Sequence, residues 1–166
     1  PDALPAGISF DAVDVRDPDA VQAYVDAVAA RHGRLDILVN NAGGSPESDA
    51  ATASPRFAEA ITRLNLLAPY YIARAAHPHL KASGKGAIVN IASVSGIRPS
   101  PGTAIYGAAK AGLLSLTKSL AAEWGPDAIR VNAIIVGLAE TEGSASTYGD
   151  AAAHARVPLG ARDAAR

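Results

Sequence analysis

Tyr106-Gly107-Ala108-Ala109-Lys110 sets a phenol and an ammonium four residues apart at the start of a long run with helical character, so the two share one helix face. A cation held beside a phenol favours the phenolate, which equips a tyrosine for acid/base work. Thirteen residues upstream, Ser93 closes the run Ile88-Val89-Asn90-Ile91-Ala92-Ser93 and is followed by Val94-Ser95-Gly96. This is a buried-strand pattern ending in small hydroxylated residues, and strand ends are where open α/β sheets place their chemistry.

These side chains need elements to position them. Asp17-Pro18-Asp19 supplies an N-cap followed by proline at the first helical position, and Val21, Tyr24, Val25 and Val28 recur at helical spacing until Gly33. Leu35 to Val39 is a short apolar run that feeds the small-residue turn Asn40-Asn41-Ala42-Gly43-Gly44. Ser54-Pro55 repeats the cap-then-proline start, and an apolar face carries a second helix to about Leu80. Asn65 lies in that helix, four residues before Pro69. A proline has no N–H for the carbonyl at i−4, so the Asn65 carbonyl is expected to be free. After the strand Ala87 to Ala92, a third helix runs from about Thr103 to Trp124, and Ile129 to Val136 reads as a strand buried on both faces. Ile8 to Val15 also has a strand pattern. Strands alternating with helices predict an α/β domain with a doubly wound parallel sheet in three layers.

The bulk properties narrow the partners. One domain accommodates 166 residues, and a net charge of −1 without a basic stripe argues against nucleic acid and anionic membranes, in favour of a small ligand. Cysteine is absent, which excludes a disulfide framework, and no membrane-length apolar run occurs, so the cytoplasm is the expected location. His32, His77, His79 and His154 show no metal-ligand pattern. Methionine is absent too, and the chain opens at Pro1 almost directly on a strand pattern, so a preceding segment is expected.

Ser93, Tyr106-x-x-x-Lys110 and Asn40-Asn41-Ala42-Gly43, in this order and spacing, resemble the short-chain dehydrogenase/reductase family over about Ile8 to Gly160. The resemblance implies a Rossmann-type fold, NAD or NADP as cofactor, interconversion of a secondary alcohol and a ketone, and a homodimer or homotetramer. It implies that Tyr106 exchanges the substrate proton, Ser93 bonds the same oxygen, Lys110 assists Tyr106 and holds the nicotinamide ribose, and Asn65 supports a relay water. Asn41, Ala42 and Gly43 would lie along the cofactor, Asp14 and Val15 at its adenine, and Gly137 with Thr141 at its carboxamide. Asn132 matches a structural position. Oligomer contacts are expected on the helices after Ser54 and Thr103, through Ala73, Ala76, Ala108, Ala111 and Ser115.

Departures from the family pattern are also visible. Val136-Gly137 stands where Pro-Gly is usual, and no glycine-rich dinucleotide turn occurs anywhere, nor the strand end that selects NAD over NADP. Val157-Pro158-Leu159-Gly160 resembles a lead-in to a last helix and strand that do not follow, and residues 143–166 read as a mobile substrate-side flap. Substrates left open include 3-oxoacyl thioesters, steroid ketones and alicyclic or sugar alcohols. The alternative is a catalytically silent cofactor-binding regulator, or a truncated structural partner in an oligomer.

Overall fold

The computed structural model describes residues 7–137. Pro1–Ile134 form one compact unit and Ile135–Arg166 a second, of which only the first three residues are described. The described elements run α1 (Pro18–His32), β1 (Ile37–Asn40), α2 (Pro55–Thr62), a π-helical turn (Arg63–Leu67), α3 (Ala68–Ser83), β2 (Ala87–Ser93), a 3₁₀ turn (Val94–Gly96), α4 (Ala104–Trp124), a second 3₁₀ turn (Gly125–Asp127) and β3 (Arg130–Val136).

The helix starts are where the capping chemistry puts them. The Asp17 carboxylate accepts from the Asp19 and Ala20 N–H groups and Ser54 Oγ accepts from Phe57 N–H, in both cases with proline at the start of the helix. Gly33 ends α1 with φ +72° and Gly84 ends α3 with φ +71°, a left-handed cap that glycine adopts without a Cβ penalty.

The sheet has the order β1-β2-β3. β1 and β2 are parallel, with Ile37 opposite Ala87 and Asn40 opposite Asn90. One sheet face carries the core: Ile88, Val131 and Leu38 pack with Val21 and Val25 of α1, Ala73, Ala76 and Leu80 of α3, and Leu120 and Trp124 of α4. Fully burying a side chain such as Leu80 or Ile88 contributes about 1.5–3 kcal/mol.

Several expectations need correction. The other sheet face presents Ile37, Val39 and Ile134 about half exposed or more, so among the described residues the helices cover one face of the sheet. Ile8 to Val15 is not a strand. No neighbouring strand among the described residues pairs with it, and Ile8 and Phe10 stand exposed, while Val15 packs on the core. Strand character needs a partner as well as a pattern. β3 was expected to be buried on both faces, but of its residues Val131 alone is buried, while Arg130, Asn132, Ile134 and Ile135 are exposed. The second helix is interrupted by the π turn. Ala73 and Ala76 are buried within the subunit and unavailable for contact between subunits, whereas Ala108, Ala111 and Ser115 lie exposed on α4.

Candidate active site

Four segments converge at the C-terminal ends of β1 and β2. β1 ends at buried Asn40, and Asn41, Ala42 and Gly43 follow as an exposed ledge. Behind the ledge lies Asn65, fully buried. Its Nδ2 donates to the carbonyls of Gly44 and Ile61 at 2.9 Å each, and its Oδ1 accepts from Gly44 N–H at 2.9 Å. The ledge is therefore held to the π turn by both ends of one amide. A Cβ built on Gly43 would stand 2.7 Å from Asn65 Oδ1 and 3.1 Å from Lys110 Nζ, so only glycine lets the backbone pass so close to both.

The π turn explains how Asn65 comes to point there. Ala68 N–H donates to the Arg63 carbonyl, five residues back, and the α ladder resumes with Leu67 as the N-cap of α3. Between those bonds stand the carbonyls of Leu64, Asn65 and Leu66. Pro69 brings no N–H to the Asn65 carbonyl four residues back. The sequence expectation rested on a proline kink; the structure has a π bulge at this place. Such bulges recur at functional sites.

Lys110 enters from α4. Its side chain is buried, and Nζ donates to the Ile91 carbonyl of β2 at 2.7 Å while standing 5.6 Å from the centre of the Tyr106 ring. Removal from water disfavours the ammonium and lowers the Lys110 pKa below the ordinary 10.5. Ser93, at the end of β2, is 9% exposed, and its Oγ accepts from Ser95 N–H at 3.2 Å. With that acceptor position taken, the Ser93 hydroxyl retains its proton for donation. Tyr106 is partly buried on the first turn of α4.

The remaining sequence candidates fall into place differently. Asp14 is exposed and engaged by Arg16, whose Nε and Nη2 donate to it at 2.9 and 2.8 Å, and those hydrogen bonds lower its pKa to about 2. It borders a cleft of about 340 Å³ shared with Arg16, Arg56, Glu59 and Arg63. Gly137 follows β3 in the second unit, and Thr141 and the 143–166 segment lie outside the described residues. Among the described residues no His, Asp or Glu cluster suits a metal; His77 pairs with Asp127 at 2.9 Å and His79 with Asp26 at 2.7 Å, tying α3 to neighbouring elements.

The sequence reading passed over a buried polar chain. Asn40 Nδ2 donates to Asn90 Oδ1 at 2.8 Å and to the Pro69 carbonyl at 3.3 Å, Asn90 Nδ2 donates to Thr117 Oγ1 at 2.9 Å, and Thr117 donates to the Leu113 carbonyl at 2.7 Å. It stitches α3, β1, β2 and α4 together immediately behind the ledge. The signal was present as two asparagines inside apolar strand runs.

A family model described as enoyl-(acyl carrier protein) reductase matches residues 3–163. The solved short-chain dehydrogenase of Streptomyces avermitilis superposes with a TM-score of 0.75 at 32% identity, over 80% of this chain and 48% of that one. The chain belongs to the short-chain dehydrogenase/reductase family. A 3-oxoacyl-[acyl-carrier-protein] reductase of Thermotoga maritima is 33% identical over 161 residues, which cover 96% of this chain and 65% of the relative. The gluconate 5-dehydrogenase of Burkholderia cenocepacia, solved with NADP and tartrate, has a TM-score of 0.81 at 36% identity, covering 85% of this chain and 55% of that one. The chain thus spans about half to two thirds of the length of these family members. Its sheet, its helices and its Rossmann-like character are those of the family.

Proposed function

We propose that this chain carries the proton-transfer and nicotinamide-side machinery of an NAD(P)-dependent oxidoreductase that interconverts a secondary alcohol and a ketone. The observation that carries the reading is Lys110, a buried ammonium anchored on the Ile91 carbonyl, two residues from Ser93 and beside the Tyr106 ring. Burying an amine is costly, and the fold spends that cost at the strand end where a substrate oxygen would sit.

The chain's own residues fit a dinucleotide on one side. The exposed Asn41-Ala42-Gly43 ledge admits close approach to the backbone, and Lys110 has N–H groups beyond the one given to Ile91 for the nicotinamide ribose hydroxyls. Asp14 and Val15 would face the adenine. When bound, the dinucleotide supplies or accepts the hydride. Tyr106 then gives a proton to the carbonyl oxygen as the alcohol forms, or takes it in the reverse direction. Ser93 donates a hydrogen bond to that oxygen, and the ammonium of Lys110 stabilises the phenolate that Tyr106 leaves behind. Asn65 holds the ledge and presents its backbone carbonyl to a water that restores the proton.

The working assembly we propose is a cytoplasmic homodimer or homotetramer joined through the exposed face of α4 at Ala108, Ala111 and Ser115. Among the described residues no helix is long and apolar enough to cross a membrane. A silent-regulator role is not favoured, because the relatives are named as reductases and dehydrogenases. The test is oxidation of NADH and NADPH followed by absorbance with 3-oxoacyl thioesters first, the class named in the Thermotoga relative, and then polyol and alicyclic ketones. Turnover with at least one carbonyl class is expected. Dinucleotide binding without turnover of any class would overturn the reading in favour of the regulator.

A further inference from the structure

We propose that Gly96 and Gly107 are positioning residues, a reciprocal backbone seam that sets the separation of Ser93 from Tyr106 and Lys110. Resting on the alcohol–ketone reading above, the proposal adds two residues with no side chain to offer the reaction. An ideal Cβ on Gly96 would stand 2.8 Å from both the Ala111 nitrogen and the Lys110 carbonyl carbon; one on Gly107 would stand 2.8 Å from the Ser95 carbonyl oxygen. Each glycine thus meets backbone of the facing element. Gly96 closes the turn that follows Ser93 and abuts the helix at Lys110; Gly107 follows Tyr106 and abuts that same turn. Neither has a positive φ, so alanine suits the backbone conformation at both positions and the only obstacle is distance.

The opposing atoms belong to a packed helix and a short hydrogen-bonded turn, and no side-chain rotation relieves the contact. Hydroxyl contacts tie the turn to the start of α4: Ser100 Oγ lies 3.0 Å from Ser95 Oγ and 2.6 Å from Thr103 Oγ1 at the N-cap of α4. Lys110 is consequently fixed twice, its backbone against Gly96 and its amine on the Ile91 carbonyl. A methyl at Gly96 pushes α4 away at Lys110 and stretches the bond to Ile91. A methyl at Gly107 pushes the Tyr106 end away from Ser95 and leaves the lysine anchor in place.

Gly112 supplies an internal control. It is on the same helix, but the atoms nearest its Cβ would be those of the Leu66 side chain, at 3.0 and 3.3 Å from the two δ methyl groups, which a rotamer change moves aside. Gly96→Ala, Gly107→Ala and Gly112→Ala are to be made in the natural full-length polypeptide, with kcat, dinucleotide affinity by fluorescence and a crystal structure of each.

Displacement of catalytic groups by about 1 Å costs on the order of 10²-fold, so kcat should fall by roughly that factor for Gly96→Ala and Gly107→Ala and stay near the parent for Gly112→Ala. Dinucleotide affinity should fall for Gly96→Ala and hold for Gly107→Ala. The Lys110 to Ile91 hydrogen bond should be lengthened only in Gly96→Ala. Folded Gly96→Ala and Gly107→Ala proteins that turn over like Gly112→Ala, or a Gly96→Ala structure with the lysine bond still at 2.7 Å, overturn the proposal. Should Gly96→Ala fail to fold, Gly107→Ala decides it through the kcat-to-affinity split. If the parent turns over no carbonyl at all, the functional reading fails, and the structures of the variants still decide whether the seam sets the spacing.

Discussion

At the scale of single residues, the side chains expected to do chemistry are defined by what surrounds them. Lys110 on an open helix would be an ordinary solvated lysine; here burial disfavours its charge and the Ile91 carbonyl is the hydrogen-bond acceptor for its ammonium. The sign of the consequence follows from linkage. The folded pKa lies below the ordinary 10.5, so between the two values the unfolded chain binds a proton that the folded chain does not, and stability rises with pH across that window. Below the folded value both states are protonated and folding bears the cost of burying the charge. Lys110→Met should flatten this rise, read as the difference between parent and variant urea midpoints over a pH series ending at about 10.5. Identical slopes would mean that the amine is not desolvated. Asp14 is likewise defined by its surroundings, its carboxylate accepting hydrogen bonds from Arg16.

At the scale of elements, the helix starts were legible because their signals are local. A capping carboxylate or hydroxyl followed by proline specifies a first turn without help from the rest of the chain, and both instances fold as read. The π turn was half legible. Pro69 predicts a missing donor, but how the ladder accommodates it depends on tertiary packing: Asn40 takes hold of the Pro69 carbonyl and Asn65 takes hold of Gly44. Pro69→Ala restores an N–H, and the turn is expected to revert towards α-helix. Stability should rise by at most the ~3 kcal/mol that proline costs in a simple helix. Turnover should slow, with a larger solvent isotope effect as the relay water loses its carbonyl. A variant with parental rate and isotope effect would make Pro69 a tolerated kink. The polar chain behind the ledge has its own test. Thr117→Val removes the acceptor for Asn90 Nδ2 and the donor to Leu113, leaving a buried amide unsatisfied, and should cost about 1–3 kcal/mol by urea denaturation. A loss near zero would mean that water replaces the hydroxyl.

For the whole molecule, the alternation of strand and helix behind the Rossmann-like sheet was legible, as were the residues nominated for the site. Ser93, Tyr106 and Lys110 announce themselves by type and spacing, because a phenol, an ammonium and a strand-end hydroxyl have few other reasons to recur in that order. The layering was not readable in the same way. Alternating strand and helix patterns imply helices on both faces, yet the described helices cover one face and leave Ile37, Val39 and Ile134 exposed on the other, in a chain that spans about half to two thirds of the family members it matches. Glycine contacts such as Gly96 on Lys110 were invisible as well, since sequence does not report which backbone lies opposite. The central claim, that this arrangement moves a proton between Tyr106 and a substrate oxygen, is tested most directly by Tyr106→Phe in the natural full-length polypeptide. The substitution keeps the ring beside Lys110 and deletes the one exchangeable proton. Carbonyl reduction by NADH or NADPH should fall by about 10²–10⁴-fold while dinucleotide affinity and the urea midpoint stay at the parental values. A folded variant that reduces the same carbonyl at the parental rate would contradict the account.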